Sequence, residues 1–230
     1  MRPRRCAGLL AAMLAMLLAG LLAACGPVKL RPDYTLPQPL LAPMPVHAGL
    51  LLDDELRTFR HAETRAGDDW QVELGSGHDK LFRAMLGASF QDLRVFSSLD
   101  AARAAPGLQV IFQPHIEQYS FATASETSAE YWAVTVRYRI GVLSPAGEPI
   151  DSLTLTGYGS ARSAGGSASS LTMATHAAMR DAAAKFLVQW PRQSLAQRLK
   201  AGEAVTHADG AAATVDIVEA VPIDPVAPAS

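Results

Sequence analysis

The stretch EYWAVTVRYRIGVL, residues 130–143, alternates with a strict period of two. Trp132, Val134, Val136, Tyr138, Ile140 and Val142 fall on one side, and Tyr131, Ala133, Thr135, Arg137, Arg139 and Gly141 on the other. Successive side chains of a strand point to opposite faces, so one face here is apolar and one polar. That is the pattern of a half-buried antiparallel strand. Ser144-Pro145-Ala146-Gly147-Glu148 supplies a turn, and IDSLTLTGYGSA returns as the hairpin partner. Gly157 and Gly159 in the returning strand allow a close approach or a bend.

The rest of the chain is read around this hairpin. HAGLLLDDELRTFRH reads as a strand with Leu50 and Leu52 inward and Asp53, Asp54 and Glu55 on a solvated edge. DDWQVELG alternates Trp70, Val72 and Leu74. Gly75-Ser76-Gly77 breaks the chain, with Ser76 able to cap a helix that carries Leu81, Phe82, Met85, Leu86 and Phe90 on one face. DLRVFSSL is a short strand, AARAAPG a loop, and LQVIFQPHIEQYSF a strand whose Pro114 marks an edge or a bulge. After the flexible loop SAGGSASS, a helix runs from about Ser170 to Trp190 and stops at Pro191. Its buried stripe, Leu171, Thr175, Ala178, Ala182, Phe186 and Trp190, is narrow and alanine-rich, so it can lie close on a sheet. RQSLAQRLK adds a short helical turn. The order predicts an α+β fold, a mainly antiparallel sheet with two helices on one face.

The amino terminus is of another kind. Arg2, Arg4 and Arg5 precede an uncharged apolar stretch from Ala7 to Leu22, which is the layout of a secretory signal peptide. The run is slightly short and diluted by Ala and Gly for a permanent span of about 20 residues. It ends on Leu22-Ala23-Ala24-Cys25, which resembles the lipobox of bacterial lipoproteins: an aliphatic residue, two small ones, then cysteine. The resemblance implies diacylglyceryl transfer to the Cys25 thiol, cleavage before it and acylation of the new amino terminus. Small residues let the extended backbone enter a peptidase cleft, and several acyl chains anchor stably where one binds only marginally. In that family an Asp after the cysteine retains the protein at the inner membrane. Gly26 stands there instead, so the resemblance implies the outer membrane. The element order is also similar to that of small envelope lipoproteins of the lipopolysaccharide-assembly type.

These readings divide the chain into a signal peptide (1–24), a lipidated proline-rich tether (25–47), an α+β domain (48–200) and a disordered tail (201–230). The tether carries Pro27, Pro32, Pro37, Pro39, Pro43 and Pro45, and such a segment favours extended polyproline backbone. It would hold a domain tens of ångströms off the membrane, at about 3 Å per residue. Ala, Pro and acidic residues dominate the tail.

Processing also settles the composition. Cys6 leaves and Cys25 is modified, so no disulfide or cysteine-ligated metal site is expected. Three of the 20 basic residues leave with the signal peptide, so 17 remain against 22 acidic residues, a net charge of −5. That balance argues against nucleic-acid binding, which needs a basic footprint.

The sequence offers little chemistry. His47, His61, His78, His115, His176 and His207 form no H-E-x-x-H or tight ligand cluster. His115-Ile116-Glu117 matches the H-x-E of zinc deaminases without their cysteine pair and reads as a solvated pair on one strand face. There is no G-x-S-x-G elbow, GSGHDK lacks phosphate-loop spacing, and Gly157-Tyr158-Gly159 is explained by sheet bending. Arg137 and Arg139, two apart on the polar face, are the candidate ligand-binding residues, able to meet a phosphorylated glycolipid or an acidic partner. Cross-strand partners such as Asp151 or Glu117 are the plainer role for them. Tyr119, Tyr131 and Tyr158 could extend that surface. No metal, cofactor or catalytic residue is expected. The first expectation is therefore a non-catalytic accessory lipoprotein with a membrane anchor and an envelope protein partner. A lipid- or lipopolysaccharide-binding module is the second, and an envelope hydrolase the third.

Overall fold

The computed structural model describes residues 27–32, 42–127 and 130–205. The signal segment, Cys25 and most of the tail read as disordered lie outside these residues. Eight strands are present: β1 (Val28–Leu30), β2 (Met44–Leu51), β3 (Arg60–Arg65), β4 (Asp68–Glu73), β5 (Phe90–Phe96), β6 (Val110–Ala122), β7 (Tyr131–Leu143) and β8 (Pro149–Arg162). The α-helices among the described residues are α1 (Asp54–Arg57), α2 (Gly75–Ser89), α3 (Leu99–Arg103), α4 (Ala124–Thr127), α5 (Ser167–Gln189) and α6 (Ser194–Lys200), with a 3-10 turn at Trp190–Arg192.

The class is α+β, but the sheets are mixed rather than mainly antiparallel, and six helices stand where two were expected. One sheet has the order β5-β2-β6-β7-β8 and the other β1-β4-β3. The hairpin read from the sequence is present, and β6, β7 and β8 are antiparallel. In contrast, β2 runs parallel to both β5 and β6, and β1 runs parallel to β4. The run Leu50-Leu51-Leu52 explains why β2 gave no such signal. Leu50 and Leu52 enter the main core, while Leu51 packs on the opposite face with Ala102, Leu108, Ile111 and Leu143. A strand covered on both faces loses its alternation.

The amino-terminal boundary also moves. Two pieces of the segment read as a tether are strands: β1 lines up Val28 with Trp70 and Leu30 with Val72, and Met44 and Val46 of β2 are buried. At the other end Val205 joins the core. Asp53, Asp54 and Glu55 are not a strand edge but the start of α1, where Asp53 Oδ1 accepts the Leu56 N–H at 2.9 Å. The first three residues of the loop AARAAPG belong to α3, which Ser98 caps. Helix α2 starts at Gly75 without the expected Ser76 cap.

Helix α5 lies along β8 at backbone contact. A Cβ on Gly157 would sit 2.0 Å from the Ala178 carbonyl oxygen, and one on Gly159 would sit 2.1 Å from that of Ala174. The stripe Leu171, Ala174, Thr175, Ala178, Ala182 and Phe186 is buried against the sheet. The same helix guards the free edge of β8. Asp181 Oδ2 accepts the Tyr158 N–H at 2.9 Å and Lys185 Nζ donates to the Thr156 carbonyl at 2.8 Å. Those backbone groups would otherwise be a template for another strand.

Because the obstacle at Gly157 and Gly159 is helix backbone, Gly157→Ala and Gly159→Ala should each destabilise by about 3 kcal/mol or more, at or beyond the usual range for overpacking. Gly141→Ala, whose Cβ would meet nothing nearer than 3.6 Å, should stay within about 0.5 kcal/mol of wild type. Urea unfolding of the three variants tests this; equal losses would overturn it.

Candidate functional site

Helices α1, α2, α5 and α6 and the small sheet share the core on one face of the five-stranded sheet, and α3 packs at one end of the other. The remaining outer face carries Arg137 and Arg139. In register, Arg137 stands between Gln118 and Thr156, and Arg139 between His115 and Thr154. Both arginines are exposed. Arg139 Nε donates to Glu117 Oε1 at 2.5 Å, whereas Asp151, the other candidate partner, accepts the N–H of its neighbour Ser152. His115 Nδ1 lies 3.7 Å from Asp53 Oδ2.

The three tyrosines do not extend this surface together. The register between β6 and β7 shifts between Ile116 and Gln118. A bulge places one extra residue in the strand and so reverses which face the following residues take. Tyr119 therefore turns inward, opposite Val136, where its hydroxyl bonds Thr175 Oγ1 at 2.7 Å. Burial pushes its phenol pKa up. Tyr158 lies at the β8 edge with Lys185 Nζ 4.9 Å from its ring centre, and Tyr131 packs with Arg162 at the end of the hairpin.

A second arginine cluster was not apparent in the sequence. Where α1, β1 and the start of α2 meet, a cleft of about 230 Å³ is lined by Arg31, Arg57, Phe59, Arg60, Glu73 and Ser76, among others. Arg31 bonds Glu73 Oε2 through Nε at 2.8 Å and through Nη2 at 2.5 Å. Arg31 accordingly holds the Glu73 carboxyl below its ordinary pKa, with the charges of Arg60 and Lys29 adding. Arg57 Nε is buried and has no hydrogen-bond partner among the described residues. The three arginines are 26 and 3 residues apart in sequence, so only the seam between elements brings them together. The lone signal in the chain is Gly75, whose Cβ would lie 1.8 Å from the Arg57 carbonyl oxygen.

Beside this cleft, His78 is wholly buried. Its ring lies 5.9 Å from Phe59 and 5.4 Å from Tyr138, and neither ring nitrogen has a hydrogen-bond partner among the described residues. Among those residues, no group of three or more His, Cys, Asp or Glu could hold a metal ion. No described helix is long and apolar enough to cross a membrane, which says nothing about strands.

No family model and no curated protein matches the chain. Among solved structures, a Xanthomonas campestris protein of the DUF330 family model is similar over 70% of this chain and 89% of its own, with 11% identity and a TM-score of 0.41. A Caulobacter crescentus protein described as a candidate lipoprotein is similar over 46% of this chain and 79% of its own, with 16% identity and a TM-score of 0.33. A Helicobacter pylori protein described as a candidate homologue of a neuraminyllactose-binding haemagglutinin is similar over 76% and 98%, with 10% identity and a TM-score of 0.41. All three overlaps cover only part of this chain.

Burial pushes the His78 pKa down to about 3. In the unfolded chain the imidazole takes up its proton near pH 6.5. Between those values the unfolded state binds more protons, so stability falls as the pH drops, by about 1.4 kcal/mol per pH unit. Between pH 6.5 and about pH 4.5 the wild type should therefore lose roughly 2–3 kcal/mol more than His78→Phe, which keeps the ring contacts without the titration. Urea unfolding across that range measures the difference, and parallel curves would refute it.

Proposed function

We propose that this chain is a lipoprotein anchored in the outer membrane through Cys25, with its domain on the periplasmic side. It acts as a non-catalytic accessory or binding component of a cell-envelope assembly or transport system, in the manner of the small lipopolysaccharide-assembly lipoproteins its element order resembles. The observation that carries this reading is the spacing between the lipobox and the fold. Leu22-Ala23-Ala24-Cys25 closes the apolar run, and β1 begins three residues later at Val28. Three residues span at most about 10 Å. That supports a domain held against the bilayer, not one displaced from it by a long proline-rich spacer. A domain so held is suited to passing material to, or steadying, a machine embedded in the same membrane.

The polar outer face of the five-stranded sheet gives an envelope partner a surface of Thr135, Arg137, Arg139, Thr154 and Thr156, all in adjacent register on β7 and β8. The Arg139–Glu117 pair lies on this face and offers both signs of charge to a partner.

Cys25→Ser retains the size of the side chain but replaces the thiol nucleophile. Lipidation should fail, cleavage by the lipoprotein-specific peptidase should fail with it, and uncleaved precursor should accumulate at the inner membrane. The wild type should take up labelled fatty acid and fractionate with the outer membrane. Cys6→Ser should behave as wild type. Labelling that persists in Cys25→Ser, or a mature chain beginning at another residue, would overturn the assignment.

A further inference from the structure

We propose that the cleft between α1, β1 and α2 binds a phosphate ester. Its walls carry three guanidinium groups, from Arg31, Arg57 and Arg60, against one carboxylate, Glu73. Arg31 already neutralises that carboxylate at hydrogen-bond distance. The excess charge therefore resides on Arg57 and Arg60. The nearest acidic residue of α2, Asp79, is held by Arg83 at 2.7 and 3.1 Å, and Asp54 and Glu55 of α1 are exposed and do not line the cleft.

Buried arginine donors are normally bonded, and one left over calls for a physical account. Arg57 Nε is such a donor. That nitrogen is closed to solvent, so a phosphate in the cleft would meet the rest of the fork, and guanidinium forks match phosphate geometry with paired, charge-assisted bonds. The start of α2 adds to the same field. It is a helix of 15 residues with no acidic residue in its first turn and Leu74 at its N-cap, which has no side-chain acceptor. The Gly75 N–H is spent on the Phe59 carbonyl, and the first-turn N–H groups of Ser76 and Gly77 have no side-chain cap among the described residues and lie at the positive end of the helix. A volume of about 230 Å³ is below the range of roughly 300–1,000 Å³ for drug-sized ligands and suits a headgroup. Phe59 gives one wall an apolar surface for the carbon beyond the ester oxygen.

The phosphate has two possible sources, a membrane lipid headgroup or a soluble ester. Arg31 is six residues from Cys25, so it lies at most about 20 Å along the chain from the anchor. The lipid source rests on the anchoring proposed above, whereas the phosphate chemistry does not.

The test uses the mature chain from residue 25 carrying Cys25→Ser, unacylated and containing every described residue, so its outcome is independent of lipidation. Glycerol phosphate, with chloride at matched ionic strength as control, is titrated while backbone amide resonances are followed. Saturable shifts centred on residues 74–78 are expected, and Arg57→Gln with Arg60→Gln should weaken binding at least tenfold. Arg60→Gln alone, at an exposed position, should weaken it severalfold without altering the melting curve, which separates loss of binding from loss of fold. Sedimentation with vesicles of phosphatidylglycerol and phosphatidylcholine, against phosphatidylcholine alone, identifies the source. A gain of tenfold or more on the anionic vesicles, lost in the double variant, assigns a lipid headgroup; saturable binding of glycerol phosphate with no such gain assigns a soluble ester. Absence of saturable shifts, or binding unchanged in the double variant, overturns the proposal.

Discussion

The backbone contact between α5 and β8 is the constraint on which the rest of the domain depends. A helix can lie this close to a strand only where the strand has no side chain, and Gly157 and Gly159 provide two such places on one face. Once seated, α5 presents Phe186 and Trp190 to the sheet, their rings stacked within 5° of parallel and set nearly edge-on to Phe112. It also brings Thr175 beneath the Tyr119 hydroxyl. Asp181 and Lys185 reach the outer side of β8 from the same helix. A single element thus closes the core, satisfies a buried hydroxyl and occupies a sheet edge that would otherwise recruit another chain.

The second layer of the fold is the small sheet, joined to the first through aromatic contacts. Trp70 of β4 packs on Trp132 at 5.2 Å and on Phe121 at 5.5 Å, and His61 of β3 lies 5.1 Å from Tyr119. These contacts require Tyr119, Phe121 and Trp132 to share a face, and the β6 bulge makes that possible. The arginine cleft opens where this small sheet, α1 and α2 converge. Gly75 lets the first turn of α2 abut the backbone of Arg57, so the arginines gather at a helix start that has no side-chain cap.

The order of elements couples this geometry to the amino terminus. β1 is a short parallel strand on the edge of the small sheet, and the chain enters it three residues after Cys25. Leu30 is buried in the shared core. Under the anchoring proposed at Cys25, a pull on the anchor would be delivered to the small sheet, close to the Trp70–Trp132 contact.

The sequence by itself determined what depends on local periodicity and local chemistry. The β7–β8 hairpin, the apolar faces of α2 and α5 and the closeness of α5 to its sheet are each written in a few adjacent residues. Tertiary structure decided what depends on distant partners. The parallel pairing of β2 was hidden because Leu51, covered by α3, erased the alternation. The bulge that turned Tyr119 inward has no composition signal, since a one-residue shift in pairing is a property of two strands. The strand at Val28–Leu30 looked like spacer because three residues flanked by prolines carry no periodicity, and only a neighbour in β4 makes them a strand. Arg31, Arg57 and Arg60 are unremarkable along the chain and form a cleft only because packing around Gly75 brings three separate segments to one seam.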